Sequence, residues 1–409
     1  MRLTHPTAEG GDFGALDPFC LLRVPSRAQL GLLSPGAGAG LPLHQKKVGG
    51  CIDLAATGTL TASATAAANW EASRRWLEDA SLYATVKFDG VLPISRLSDA
   101  DHVTMRDART IEPLPDAVVP TGGVRVFSTV EWEKQRRRAI KHQPEVNEAC
   151  NRDTLRPRTV PSRAELRAHA FRGRFSACLD GTSFFDQFPL SEEVRNFFAF
   201  RDAHGCSWRL MVLAMGQRQA SQVASDLMAL LLDFPMGDVT PAHNADNCRF
   251  VGHSVAAVAK TVFEFVLRCR AVGVVLNEID VASATLADCR VLVAEETDFF
   301  GEVVNFARKT SRVREKTPEK LRQLWHLRDT WSWKQAVGAI ITALWCAPVL
   351  AIDLSKHYRT LAALRMAGRL LQRDPSLWDS PAILRPEFFG DFSTVVAIVC
   401  LNADTPIAR

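Results

Sequence analysis

Two aspartates stand where apolar runs meet polar turns. Asp180 ends the run 175–179, and 66 residues later Asp246 lies in a polar turn before the run 248–251. If these runs are neighbouring strands, carboxylates at their ends are held rigidly and close together. Two such carboxylates can bind a pair of divalent cations about 3.5–4 Å apart, the arrangement that serves phosphoryl transfer. Taken singly, each aspartate is typical of a turn or a helix cap.

A competing set of residues centres on Ser254. Residues 252–256 (G-H-S-V-A) follow an apolar run and precede a helical pattern, as the nucleophile elbow of an α/β-hydrolase does. Ala256 replaces the second glycine of that elbow, and no His-Gly-Gly-Gly run lies upstream. In this alternative the acid is Asp280 or Asp298, and the base is His326 or His357.

Basic residues are concentrated in two segments. Residues 133–174 hold twelve Lys or Arg against five acids, and residues 302–334 hold nine against four, although the net charge of the 409-residue chain is only +4. Local clusters of this kind form solvated faces or neutralise nucleic-acid phosphates. Between them, apolar strand-like runs alternate with helical patterns such as 220–234 and 254–272, which predicts an α+β core.

The flanking regions give simpler expectations. Residues 1–69 are rich in Gly, Ala, Thr and Pro and predict a loose or disordered leader, while the spacing of Trp70, Trp76, Leu77 and Leu82 predicts an amphipathic helix. A Ser-x-x-Glu capping box at 162–165 predicts a helix start. Residues 394–401 have the composition of a strand.

Cysteine usage and hydropathy bear on the compartment. The ten cysteines are scattered without a C-x-x-C pair, and residues 1–24 lack the apolar core of a signal peptide, so the chain is expected to be intracellular and not secreted. The uncharged run 336–352 contains Pro348 and is slightly short for a membrane span. We expect a buried helix pair there and no membrane partner.

Six motifs occur in order between Phe127 and Phe306. They are V-F-S-T at 126–129 with 134–141 and 144–147; L-D-G-T-S-F-F-D-Q-F-P-L at 179–190; L-A-M-G-Q-R-Q-A-S at 213–221; N-A-D-N at 244–247; G-V-V-L-N-E at 273–278; and F-F-G at 299–301. In this order the chain resembles the fingers and palm of reverse transcriptases. It is most similar to those of retroelements with a tyrosine recombinase, the DIRS, Ngaro and VIPER group and related telomere-associated elements. The resemblance implies a right-hand polymerase fold of the α+β class.

The resemblance also implies roles for individual residues. Asp180 and Asp246 are expected to be the catalytic metal ligands for Mg²⁺ or Mn²⁺, and Phe185 to exclude the ribose 2′-hydroxyl. Phe300 and Gly301 correspond to the primer grip. The residues expected to bind the incoming nucleotide are, besides Phe185, Arg138, Lys134, Lys141, Gly216, Gln217 and Arg218. The implied partners are an RNA or DNA template with its primer and dNTPs, and the element's life cycle implies the nucleus or cytoplasm.

The implied organisation covers most of the chain. An N-terminal extension at 70–120 precedes fingers and palm at 121–305, thumb- or connection-like helices at 306–385, and the truncated start of a following domain at 386–409, as in a fragment of a longer polyprotein. Two departures stand out: Ala214 replaces a common proline, and Asn247 replaces the second aspartate of the usual hairpin. They keep open the alternative of a catalytically decayed nucleic-acid-binding remnant.

Overall fold

The computed structural model describes residues 40–131, 134–150 and 161–407. Within these ranges the chain forms two compact units. Among these residues, the larger unit contains 40–131, 134–150 and 172–294, and the smaller unit contains 161–171 and 295–407. Both units combine helices with small sheets, so the predicted α+β class is confirmed.

Three three-stranded sheets organise the larger unit, in the orders β1-β4-β3, β2-β7-β6 and β5-β9-β8. The strands are β1 (Leu43–His44), β2 (Ile111–Pro113), β3 (Arg125–Glu131), β4 (Arg136–His142), β5 (Phe175–Asp180), β6 (Ala199–Arg201), β7 (Ser207–Leu210), β8 (Thr240–Asn244) and β9 (Asn247–Gly252). Sheet β5-β9-β8 is antiparallel, and most of its apolar residues are buried, as the runs 175–179 and 248–251 predict.

The helices of the larger unit cover these sheets with apolar faces. They are α1 (Leu54–Thr57), α2 (Ala64–Glu78), α3 (Asp99–Asp107), α4 (Pro144–Ala149), α6 (Glu192–Arg195), α7 (Ala220–Leu232), α8 (Val255–Ala271) and α9 (Leu286–Val291), with 3₁₀ turns at Ala80–Tyr83 and Phe184–Gln187. In α8, Val258, Val262, Phe265 and Cys269 recur at helical spacing and are fully buried. They share one core with α2 and α7.

The smaller unit joins one antiparallel sheet to a helical cluster. Its sheet has the order β10-β11-β12-β13. Its elements are α5 (Arg163–Ala168), β10 (Glu296–Phe299), β11 (Glu302–Asn305), β12 (Thr310–Val313), α10 (Lys316–His326), α11 (Trp333–Cys346), α12 (Tyr358–Arg373), α13 (Pro386–Leu401) and β13 (Thr405–Pro406), with 3₁₀ turns at His169–Phe171, Arg328–Thr330, Leu354–His357 and Pro375–Asp379. The capping box before α5 is present as predicted.

Two expectations about the flanking regions need correction. Residues 40–69, predicted as part of a loose leader, contain β1, α1 and the start of α2, because Leu43 and Ile52 are buried in the core. Residues 1–39 lie outside the described residues. Residues 394–401 are helical rather than a strand, because α13 buries Phe388, Phe392 and Val395 against the other helices of the smaller unit. Segment 386–407 packs within that unit; the start of a following domain there stays a prediction.

The apolar run 336–352 also differs from the expected helix pair. It holds most of one buried helix, α11, and then a turn that includes Pro348. No helix in the described part of the chain is long and apolar enough to cross a membrane.

Candidate active site

Sheet β5-β9-β8 brings the two predicted aspartates together. In the strand register Asp180 lies opposite Asn247, and Asp246 occupies the two-residue turn that joins β8 to β9. Ala245, the other turn residue, has φ of 50°, which lets the hairpin close tightly. The Gly181 amide donates to the Asp246 carbonyl oxygen at 2.9 Å, so the backbone that follows Asp180 is fixed to this turn.

Burial and neighbouring acids raise the pKa of Asp180. Burial is the largest cause, followed by the negative charges of Asp246 and Glu278, and together they raise that pKa to about 6 despite a hydrogen bond from Asn277. Burial also raises the pKa of the Glu278 carboxyl. The Glu278 side chain accepts from the Asp180 amide at 2.8 Å, and the Asn277 amide donates to Asp180 Oδ2 at 2.9 Å. Raised carboxyl pKa values in a cleft are typical of functional sites.

Asn277 and Glu278 belong to the motif 273–278, but they are not among the site residues predicted from the sequence. The signal was present, since this polar pair follows the apolar run 274–276, as Asp180 follows its own run. The sequence alone does not show that segment 274–278 pairs with the residues around Asp180. Backbone bonds from Thr182 to Val275 and from Asn277 to Asp180 bring the two segments together.

The donor set fits a hard divalent cation shared with a substrate. Asp180 Oδ1 is buried without a hydrogen-bond partner, so one carboxylate oxygen is available as a ligand. Asp246 Oδ1 accepts from the Asn247 amide at 3.0 Å. Within the described ranges no group of three or more His, Cys, Asp or Glu side chains could hold a metal alone. Mg²⁺ is commonly held by one or two carboxylates together with substrate phosphates. Asp180 and Asp246 could provide the carboxylates.

A pocket of about 480 Å³ opens beside the two aspartates, within the larger unit. The basic residues of its lining are Lys46, Lys134, Arg136, Arg138 and Lys141, which include the three cations predicted to meet the nucleotide. Lys141 is buried and pairs with Asp186 at 2.5 Å, whereas Arg138 pairs with Glu131 at 3.1 Å and is more exposed. Arg138 and the exposed Lys134 are therefore better placed than Lys141 to receive an anion.

The two neighbouring phenylalanines of the first palm motif have different surroundings. Phe184 is 1% exposed and packs edge-on against Phe188, with ring centroids 5.1 Å apart. Phe185 is partly buried and lines the pocket. Both rings line the pocket, but Phe185 is the less buried of the two. That Phe185 meets the nucleotide stays a prediction.

In the loop at 215–218, Met215 lines the pocket, whereas Gln217 and Arg218 hold the loop in place. Gly216 has φ of 93° with open space around it, a conformation that favours glycine, and the neighbouring Met215 lines the pocket. Gln217 is buried and donates to the Tyr83 hydroxyl at 2.8 Å. Arg218 donates to the Cys150 carbonyl oxygen at 2.7 Å. These bonds hold the loop in place, and neither residue lines the pocket, so their predicted contact with the nucleotide stays a prediction.

The predicted primer grip lies in the smaller unit. Phe300 and Gly301 form the turn between β10 and β11, with φ values of 56° and 73°. The Gly301 amide donates to Asp298 Oδ1 at 3.1 Å, which fixes the turn. Phe300 is 38% exposed, so its ring is available for contact at the end of the hairpin.

The structure contradicts the hydrolase alternative. Ser254 is the N-cap of α8, where its hydroxyl accepts from the Ala257 amide at 3.1 Å. Its φ of −131° is ordinary extended backbone, whereas a nucleophile elbow is strained. His357, a candidate base, instead pairs with Asp391 at 3.0 Å.

Comparison with known proteins supports the fold assignment. The chain is similar to a solved structure of a foamy viral protease-reverse transcriptase, dRH, in complex with double-stranded DNA, at TM-score 0.51 and 10% identity, covering 75% of this chain and 48% of that one. It is also similar to a foamy viral protease-reverse transcriptase in complex with an RNA/DNA hybrid, at TM-score 0.53 and 11% identity, covering 79% of this chain and 40% of that one.

These likenesses establish a fold of the reverse-transcriptase type. The chain spans less than half the length of either structure. No protein-family model matches the sequence, and no curated protein matches it.

Proposed function

We propose that this protein is an RNA-directed DNA polymerase that adds deoxynucleotides to a primer 3′-hydroxyl. The observation that carries the proposal is the buried, unpartnered Oδ1 of Asp180, which lies next to Asp246 in a pocket rimmed by cations. A reacting triphosphate needs carboxylate-bound divalent cations on one side and fixed positive charge on the other. The fold adds support, because the similar structures are reverse transcriptases bound to double-stranded DNA or an RNA/DNA hybrid.

The residues of the larger unit divide the chemistry among them. Asp180 and Asp246 would hold Mg²⁺ or Mn²⁺, which when bound supplies charge neutralisation for the attacking and leaving oxygens. Asn277 orients Asp180 through its hydrogen bond to Oδ2 and leaves Oδ1 available. Arg138 and Lys134 stabilise the charge that develops on the leaving phosphates. Phe185 presents its ring where a 2′-hydroxyl would clash.

The finer identity rests on the motifs. We propose a retroelement enzyme of the tyrosine-recombinase group that works in the nucleus or cytoplasm on an RNA or DNA template with its primer. The segment 179–190 and the hairpin 244–247 carry this part of the proposal.

A second function is favoured by one observation. Asn247 replaces a carboxylate, and its amide donates to Asp246 Oδ1, so one of the oxygens that could bind a metal is already engaged. The alternative is a protein that binds the primer-template without extending it. Such binding would depend strongly on salt, because cations released from phosphates drive it.

Primer extension separates the two functions. The full chain is assayed on a primed RNA template with dNTPs and Mg²⁺ or Mn²⁺, beside Asp180→Asn and Asp246→Asn. The control is Asp238→Asn, the same change at an exposed position that does not line the pocket. We expect extension that the first two substitutions abolish and the control leaves intact. Salt-sensitive primer-template binding by the unsubstituted chain, without extension under either metal, would establish the binding protein instead.

A further inference from the structure

The segment at residues 41–53 lies beside the nucleotide pocket, although it precedes the fingers by about eighty positions. His44, Gln45 and Lys46 all line the pocket. β1, within this segment, pairs in parallel with β4, with His44 opposite Arg138. A part of the chain that composition predicts to be loose is therefore positioned against the residues that would receive a triphosphate.

Several hydrogen bonds fix this segment to the first palm motif. Gln45 Nε2 donates to Asp186 Oδ2 at 2.8 Å, while Lys141 engages the other oxygen of the same carboxylate. The Gly50 amide donates to the Asp186 carbonyl oxygen at 2.9 Å, and the Ile52 amide donates to the Gln187 carbonyl oxygen at 3.0 Å. Since Asp186 itself lines the pocket, the segment is anchored to the pocket wall.

The charges around Lys46 leave it available for an anion. Lys141 is neutralised by Asp186, and Arg136 and Arg138 share Glu131. Lys46 is exposed, and within the described ranges it has no carboxylate at ion-pair distance. Burial and then the charges of Arg136 and Lys46 lower the pKa of His44, which places the Lys46 ammonium within the positive field of the pocket. A site of this kind favours a polyanion over a neutral ligand.

We propose that Lys46 binds the triphosphate of the incoming nucleotide, as a cation supplied from before the fingers in addition to Arg138 and Lys134. The inference rests on the proposed polymerase function for the identity of the ligand. The anchoring of residues 41–53 by Gln45, Gly50 and Ile52 fixes the backbone that carries this ammonium, which reduces the entropy lost when it contacts phosphate.

The test compares Lys46→Ala with Lys47→Ala in the full chain. Lys47 is the matched control, because it is the adjacent exposed lysine and does not line the pocket. We expect Lys46→Ala to raise the KM for dNTP about five- to tenfold with kcat within about twofold, since a contact made equally in ground and transition states affects KM alone. Lys46→Arg should restore most of the affinity, and Lys47→Ala should leave KM unchanged.

Inorganic tripolyphosphate identifies the part of the nucleotide that is contacted. Its inhibition constant should rise by the same factor as KM in Lys46→Ala. An unchanged KM in Lys46→Ala, or a raised KM with an unchanged tripolyphosphate constant, overturns the inference while the polymerase function stands.

If the unsubstituted chain does not extend primers, thermal unfolding with tripolyphosphate still tests whether Lys46 binds an anion. Stabilisation that is lost in Lys46→Ala and kept in Lys47→Ala supports the anion site even without the polymerase. Equal responses in all three proteins reject it.

Discussion

Asp180→Asn should stabilise the metal-free protein at neutral pH, although it removes a residue proposed to be catalytic. Asp180 is charged above its raised pKa, and there its carboxylate is partly buried beside Asp246 and Glu278. An amide of the same shape removes this repulsion and the cost of burying the charge. The amide oxygen can still accept the Asn277 hydrogen bond that Oδ2 accepts now.

The size of the effect follows from the pKa. A rise from 3.8 to about 6 corresponds to at most about 3 kcal/mol, and solvent screening of this half-buried group reduces it to about 1–2 kcal/mol. Between pH 3.8 and about 6 the folded state binds more protons than the unfolded state. The free energy of unfolding of the unsubstituted protein therefore falls as pH rises through this range. The advantage of the amide is therefore absent below about pH 4 and complete above about pH 6.

Thermal unfolding across pH 4.5–8 without divalent metal measures this difference. At pH 7.5 we expect the melting temperature of Asp180→Asn to exceed that of the unsubstituted protein by about 2–6 °C, and the gap to narrow steadily as the buffer is acidified. Asp238→Asn should show no such pH-dependent gap. Adding Mg²⁺ should then stabilise the unsubstituted protein more than Asp180→Asn, because a bound ion stabilises only the state that holds it.

Two results would refute this reasoning. A lower melting temperature for Asp180→Asn at pH 7.5 would mean that the carboxylate makes a stabilising contact that the amide cannot replace. A gap of the same size at every pH would mean that the charge of Asp180 is not the cause.

Three further substitutions test other residues of the larger unit. Asn247→Asp adds a carboxylate opposite Asp180, beside those of Asp246 and Glu278, so it should lower the metal-free free energy of unfolding by about 1–2 kcal/mol and tighten Mg²⁺ binding in a calorimetric titration; weaker Mg²⁺ binding would contradict a metal site there. Phe185→Ala should reduce the preference for dNTP over rNTP in single-turnover extension by about 10- to 100-fold, whereas Phe184→Ala should mainly lower stability. Arg137→Ala leaves the buried Asp101 carboxylate without its ion-pair partner and should cost about 3–5 kcal/mol in denaturant unfolding; a loss below about 1 kcal/mol would show that water replaces the arginine.

The sequence could predict the strands and helices around Asp180 because their signals are local. Apolar runs of strand length end at Asp180 and precede Asn247, and helix α8 repeats its buried residues at helical spacing, so element type follows from pattern. The capping box at 162–165 is similarly local. The fact that Asp180 and Asp246 are neighbours required the motif order as well, since strand pairing across 66 residues leaves no periodic signal.

Other features depended on contacts that composition does not encode. Small residues in 40–69 predicted disorder, but Leu43 and Ile52 supply buried contacts that the rest of the larger unit completes. The β-branched residues of 394–401 predicted a strand, yet packing of α13 against the other helices of the smaller unit outweighs that preference. Gln217 had the motif position of a nucleotide contact, and only the buried Tyr83 hydroxyl shows where its amide is directed.

The anchoring of residues 41–53 imposes an order on folding during synthesis. This segment leaves the ribosome before its partners: Arg137, which donates to the Leu41 carbonyl oxygen, follows Leu41 by 96 positions, and Asp186, the partner of Gln45, follows Gln45 by 141. Contacts that close such long loops form late, because the chain entropy must be lost before they can contribute. Lys46 is thus translated before the residues that position it, so a nascent chain has no complete pocket until Asn277, which also lines it, has emerged.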